Sequence, residues 1–233
     1  MPFTLDRVVP WGRSFDEYVR MFHLTGNDLR RAILGCADGP SSFNSEMKAA
    51  GYKVVSCDPL YQFTAKQIEG RINETYNRVM EQTVQNKDNF IWDTIQSVEE
   101  LGKVRMEAMR KFLADYDQGK GDGRYLIAEL PALPFSEMQF DLALCSHFLF
   151  LYTGQLSLEF HQNSILEMCR VAREVRIFPL IDLCLTKSPY VEAILPELGQ
   201  CGFEVKIEKV AYEFQRGGNE MMRIFTIGHS LTE

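Results

Sequence analysis

The segment Arg31–Tyr61 constrains the fold of this chain more than any other stretch. It reads RAILGCADGPSSFNSEMKAAGYKVVSCDPLY. An apolar run (31–37) leads into a Gly-rich turn. A helix-like segment follows, opened by Ser41 or Ser42 and ended by Gly51 at its C′ position. A second apolar run, KVVSC, closes at Asp58-Pro59. Strand, turn, helix and strand ending in an acid is the layout that binds the adenosine half of a nucleotide-like cofactor. Glycine lacks a Cβ and the first helical N–H groups are free, so such a turn can approach a ligand closely. The acid at the second strand's tip can accept hydrogen bonds from ribose hydroxyls. Asp58 before Pro59 also reads as an ordinary helix cap.

The turn itself is Gly35-Cys36-Ala37-Asp38-Gly39-Pro40. A dinucleotide fingerprint requires glycine at its first, third and sixth positions, here Gly35, Ala37 and Pro40. Two of the three fail, which disfavours a nicotinamide oxidoreductase. A G-x-G-x-G turn fits Gly35 and Gly39 and misses at Ala37. An ordinary tight turn between a strand and a helix is the plain alternative.

Downstream, the pattern continues as strand and helix in alternation. YLIAEL, FDLALCS (140–146) and EVRIFPLID (174–182) read as third to fifth strands, and 156–172 and SPYVEAILPELGQCG as helices. FEVKIEKVAYEF and MMRIFTIG read as two final strands joined by a turn at QRGGN, 215–219. The expected fold is a three-layer, doubly wound, mostly parallel seven-stranded α/β sheet with an antiparallel C-terminal strand. Ser14 with Glu17 predicts a capped helix before the first strand. Residues 62–123 break the rhythm. They are charged and contain Ile91, Ile95, Val98, Met109, Phe112 and Tyr116 at helical spacing, with a capping pair at Ser97 and Glu100. They predict an inserted helical subdomain of two or three helices within a single 1–233 domain. This insertion reads as a lid over the site or as a dimerisation arm, which makes a homodimer a candidate assembly.

The segment LPALPFSEMQFDLALCSHFLFLY (Leu130–Tyr152), taken with the turn and Asp58, resembles a class I S-adenosylmethionine-dependent methyltransferase. More narrowly, it is similar to the subgroup with an LPF-x4-FD segment before the fourth strand and to bacterial proteins described only as methyltransferases. The resemblance covers Arg31–Asp182 apart from the insertion. It implies S-adenosyl-L-methionine as cofactor. The methionine end would lie at Gly35, Ala37 and Gly39, and the ribose at Asp58 with Pro59 and Leu60 beside it. Glu129 would reach the adenine amino group next to Leu130, and Ser146 and His147 would border the transfer site. The family usually carries an acid where Ile33 stands and glycine where Ala37 stands. Arg13 is a candidate to pair instead with the cofactor's carboxylate, and a solvated surface arginine is its alternative.

Methyl transfer from a sulfonium requires positioning of a nucleophile more than acid or base. His147, directly after the fourth strand, is the best-placed base, with an ordinary pKa suited to proton removal near neutrality; a packed strand-end histidine is the alternative. His161 reads as structural. Tyr61 and Tyr152 could each present a hydroxyl to a substrate, although aromatic residues mostly pack. Arg216 and Asn219 could read an anionic or amide-bearing acceptor, if their turn reaches the cofactor face; an exposed turn is the alternative.

Composition narrows the partners. A net charge of −7 and the sequence CSHF, where a base-methylating enzyme usually carries Asn/Asp-Pro-Pro-aromatic, disfavour nucleic acid and favour a small-molecule acceptor. No run of eighteen apolar residues predicts a membrane span, and the N-terminus lacks a signal-peptide pattern. The six cysteines show no zinc spacing, so no metal is expected, and they read as reduced thiols of a cytoplasmic protein. The competing expectation is a non-catalytic sensor or interaction protein on the same fold, which Ile33 and Ala37 permit.

Overall fold

The apolar runs become the strands of one sheet. The computed structural model describes residues 9–226. Its strands are β1 (Ile33–Cys36), β2 (Val54–Cys57), β3 (Tyr125–Leu126), β4 (Leu142–Ser146), β5 (Glu174–Phe178), β6 (Phe203–Lys209) and β7 (Glu220–Thr226). They lie in the order β3-β2-β1-β4-β5-β7-β6. The first five pair in parallel, and β7 runs antiparallel between β5 and β6. β1, β4 and β5 are buried throughout, as parallel strands covered on both faces must be.

Among the described residues six α-helices supply the outer layers: α1 (Phe15–Met21), α2 (Phe43–Ala49), α3 (Ala65–Gln85), α4 (Val98–Gly121), α5 (Leu158–Val171) and α6 (Pro189–Gln200). Side-chain alternation along the strands feeds two cores. Ile33, Leu142 and Leu144 pack with Tyr18, Phe22, Phe43 and Met47 of the α1–α2 side. Leu34, Ala143 and Cys145 pack with Ile165, Met168 and Ile194 of α5 and α6. The doubly wound expectation holds. The order reverses between β1 and β4, so the carboxyl ends of these strands open the crevice where ligands of such sheets bind. Cys36 pairs with Cys57 on one side and Cys145 on the other, forming the last rung beneath that crevice.

Three local expectations change. The third strand is two residues long, because the chain leaves the sheet edge at the exposed Ile127 and turns through Glu129–Ala132. Ile91 and Ile95 are not helical. They lie between α3 and α4, where the Ile91 N–H donates to the Phe214 carbonyl (2.8 Å) and the Arg216 N–H to the Asn89 carbonyl (2.9 Å). Finally, the last two strands are not joined by a tight turn. β6 ends at Lys209, and residues 210–219 reach across to pack Phe214 on Phe90 and Trp92. Burying these three aromatic rings against each other outweighs a shorter hairpin.

The Ser14–Glu17 capping box and the left-handed Gly51 after α2 form as expected, and Gly202 is left-handed after α6. α4 presents Met109, Phe112 and Tyr116 to a core shared with Tyr61 and Tyr125, and packs on α2 and β3. No helix among the described residues is long and apolar enough to cross a membrane.

Candidate active site

The turn after β1 is held in its shape by buried polar contacts. Ala37 has φ +51° and Gly39 φ +56°. The left-handed region costs an L-residue about 1–2 kcal/mol, so Ala37 keeps the backbone of a glycine turn at a cost glycine would avoid. Gly35 is required for a different reason: a Cβ there would lie 2.5 Å from the Asp38 carboxylate. That carboxylate accepts from the Tyr18 and Ser56 hydroxyls, and burial raises its pKa. Tyr61, considered for substrate contact, instead donates its hydroxyl to the Gly39 carbonyl (2.8 Å) from a fully buried position.

Asp58 joins the turn to β2. Its Oδ2 accepts from the Gly39 N–H (2.9 Å) and its Oδ1 from the Leu60 N–H (2.7 Å), capping the short 3-10 turn Pro59–Gln62. Burial pushes its pKa up to about 6, even with those two N–H groups opposing the shift. Capping uses one lone-pair direction on each oxygen, which leaves acceptor capacity at the cavity wall that Asp58 lines.

Across the crevice, His147 follows β4 with φ +52°. Its N–H donates to the Phe178 carbonyl (2.7 Å), its ring meets Phe178 edge-on, and its Nδ1 shares a hydrogen bond with the Ser146 hydroxyl (2.8 Å). Its pKa departs from the neutral range expected of a base. Burial, reinforced by Arg13 and Arg105, holds it well below 6.5. The ring is therefore neutral at physiological pH. His161 is structural as expected, with both ring nitrogens bonded to the Ser157 and Leu149 carbonyls.

The segment before α1 folds over the crevice. Gly12 passes so close to the turn that a Cβ would lie 2.1 Å from the Pro40 carbonyl oxygen. The Arg13 carbonyl accepts from the Ser42 N–H (3.0 Å) and the Ser41 hydroxyl (3.0 Å). Arg13 is not a solvated surface residue: it is half-buried, one nitrogen donates to the Trp11 carbonyl (2.7 Å), and its Nε is buried without a partner. Burial and the neighbouring Arg105 lower its pKa.

Arg105 of α4 closes the far side. It is entirely buried and donates from Nη1 to Glu17 (2.5 Å), while its Nε and Nη2 have no partner. Glu17 also accepts from the Ser14 N–H (2.9 Å) and the Tyr212 hydroxyl (2.8 Å). Burial works against charge on both residues. Their mutual attraction wins, lowering Glu17 to about 2 and holding Arg105 above the usual range.

These groups surround one cavity of about 670 Å³, within the range of small-ligand sites, roughly 300–1,000 Å³. The structure brings Arg13, Ala37, Gly39, Asp58, Pro59 and Leu60 to its wall. Glu129, Leu130, Ser146, His147 and Tyr152 line it as well. Gly35 lies beneath the turn and does not line it. Arg216 and Asn219 do not reach it either: Arg216 donates to the Asp88 carbonyl (3.2 Å) and Asn219 to Glu213 (2.8 Å), both directed away by the long 210–219 connection. Their neighbour Gln215 lines the cavity instead.

Sequence reasoning missed Asp38, Arg105 and Gln215. Arg105 carried a readable signal, since it lies on the stripe Leu101, Arg105, Ala108, Phe112 that α4 buries. A lone arginine in an apolar helical stripe requires an internal partner or a ligand. Among the described residues no cluster of metal-ligating side chains occurs.

Fold and cavity together define an α/β protein with a cavity of small-ligand size at the switch point of a doubly wound sheet. The chain is 36% identical over 223 residues to an uncharacterized protein of Methanocaldococcus jannaschii, MJ0045, covering 95% of this chain and 97% of that one. It belongs to that protein's family. No family model matches the chain. Among solved structures it is similar to magnesium protoporphyrin IX methyltransferase from Synechocystis with bound S-adenosylmethionine (13% identity, TM-score 0.46, covering 91% of this chain and 77% of that chain). It is also similar to a SAM-dependent methyltransferase from Aquifex aeolicus (14% identity, TM-score 0.41, covering 90% and 91%).

Proposed function

We propose that this protein transfers a methyl group from S-adenosyl-L-methionine to a small-molecule acceptor. The observation that carries the reading is the convergence, on one cavity at the carboxyl ends of β1, β2 and β4, of an acidic end and a cationic end. Asp38, Asp58 and Glu129 form the first, and Arg13 and Arg105 the second. The acidic end suits ribose hydroxyls and an adenine amino group, which donate hydrogen bonds. Arg13, with an unpartnered buried Nε beside the turn, suits the cofactor's carboxylate.

S-adenosylmethionine, when bound, supplies a methyl group whose carbon–sulfur bond breaks as the bond to the acceptor forms, leaving a neutral thioether. The protein's residues orient and exclude water. The Trp11–Arg13 segment and α4 cover the cavity and hold the acceptor in line. His147, kept neutral by burial, can accept a hydrogen bond from an acceptor O–H or N–H and take that proton as the group acidifies on methylation. The covered cavity and the net charge of −7 favour a metabolite-sized acceptor over a nucleic acid.

The test is calorimetric titration of the full chain with S-adenosylmethionine and S-adenosylhomocysteine. Micromolar binding of both is expected. Absence of binding by the folded protein would overturn the reading in favour of a non-catalytic role for the fold.

A further inference from the structure

Among the described residues, Arg105 leaves two buried side-chain nitrogens without a partner. Its side chain has no exposed surface, and one of its nitrogens is committed to Glu17. The other two, Nε and Nη2, are buried without a partner, and Arg105 is one of the residues lining the cavity. Nε and a terminal nitrogen form the edge of a guanidinium that grips a carboxylate with two parallel hydrogen bonds. Leaving such donors unmet is costly, and native proteins seldom do so without a ligand or water to meet them.

The surroundings of Arg105 add shape. Phe90 and Phe214 are stacked at 5.0 Å, Trp92 stands edge-on to both, and the Arg105 guanidinium lies 6.0 Å from the Phe214 ring centre. Phe90, Leu101 and Phe214 line the same cavity and offer a flat apolar wall. Gln215 adds a buried Oε1 with no donor. This end is built from α4 and the 210–219 connection, whereas Arg13 is tied to the nucleotide turn through Ser41 and Ser42. Arg13 and Arg105 are neighbours at the cationic end, near enough for Arg105 to lower the Arg13 pKa, but they are held by different elements, which leaves Arg105 available to a second carboxylate.

We propose that the acceptor is a carboxylate-bearing, flat apolar molecule with an O–H or N–H donor, and that Arg105 binds its carboxylate. This rests on the methyl-transfer reading of the same cavity. The apolar body lies along Phe90 and Phe214, and its donor meets Gln215.

The test uses the full chain saturated with S-adenosylhomocysteine, titrated with para-hydroxybenzoate and with its neutral isostere para-hydroxybenzamide. The expected result is binding of the acid about tenfold tighter than the amide, as for a charge-assisted pair. Arg105→Lys keeps a cation beside Glu17 and removes the two-pronged edge. It should weaken the acid about tenfold and leave S-adenosylhomocysteine within about twofold. Equal binding of acid and amide, binding of neither, an unaffected Arg105→Lys protein, or one that loses S-adenosylhomocysteine affinity as strongly would each overturn the proposal. Should Arg105→Lys fail to fold by circular dichroism, the acid-to-amide ratio of the unmodified protein decides. Acid selectivity without any S-adenosylhomocysteine binding would overturn the methyl-transfer reading while leaving the anion site standing.

Discussion

Arg176 and Arg105 are both buried arginines, at 1% and 0% exposure, and they differ in what their nitrogens meet. Arg176, on β5, donates from Nε to Glu174 (2.7 Å), from Nη1 to the Phe22 carbonyl (2.7 Å) and from Nη2 to Asp28 (3.0 Å). Glu174 also takes Arg31 and Arg223 at 2.6 Å each, so this cluster at the amino end of the sheet is closed on itself. Arg105, at the cavity, donates to Glu17 and leaves two nitrogens, Nε and Nη2, unmet. Where charge is structural the chain completes its network. Among the described residues, the buried arginine nitrogens without a partner belong to Arg13 and Arg105, which both line the cavity.

The largest effects should come from breaking the closed cluster. Arg176→Met removes at once the hydrogen bonds to Glu174, Asp28 and the Phe22 and His23 carbonyls, and should cost about 3–5 kcal/mol in urea unfolding. Arg105→Met removes one hydrogen bond to Glu17, which keeps the Ser14 and Tyr212 bonds, and also relieves two buried unpartnered nitrogens, so it should cost less, about 2 kcal/mol. Equal losses would erase the distinction between the two sites. Asp58→Ala should weaken S-adenosylhomocysteine binding by about 1–3 kcal/mol in calorimetry, since hydrogen bonds to a charged group are lost. Unchanged affinity in a folded protein would remove Asp58 from the site.

The cavity should also respond to pH where the closed cluster does not. Asp58 has a folded pKa of about 6, raised by burial. Its proton is therefore held more tightly when folded, and the carboxylate's charged form lowers stability as pH rises through 6. Ribose hydroxyls prefer the charged form, so S-adenosylhomocysteine affinity should be flat above about pH 7 and fall several-fold toward pH 5. Asp58→Asn should flatten that profile. The smallest effect should be Ala37→Gly, which relieves φ +51° and should stabilise by about 0.5–1 kcal/mol in thermal melts after the added unfolded-state entropy. A destabilised Ala37→Gly protein would show that the methyl group at Ala37 packs usefully.

Much of the fold was legible because its signals are local. The apolar runs of β1, β2, β4 and β5, the Ser14–Glu17 box and the glycines after α2 and α6 each depend on neighbours a few residues away. The turn and Asp58 were legible for the same reason, being nineteen residues apart across one βαβ unit and joined by the Gly39 N–H. The short β3, the non-helical Ile91 and Ile95, and the placement of Arg216 and Asn219 were not. β3 is short because the chain leaves the sheet edge after Leu126, whereas the other two follow from the 210–219 connection docking on residues 89–92, a pairing of segments far apart in sequence.

The sequence by itself determined the doubly wound sheet, its switch point and the acid beside the turn, because periodicity and turn chemistry act over a few residues. Only the tertiary structure decided the cationic end of the cavity. Glu17 meets Arg105 across 88 residues and Tyr212 across 195. Whether a buried charge is paired or left open depends on what packs around it, and no pattern within a single segment records that.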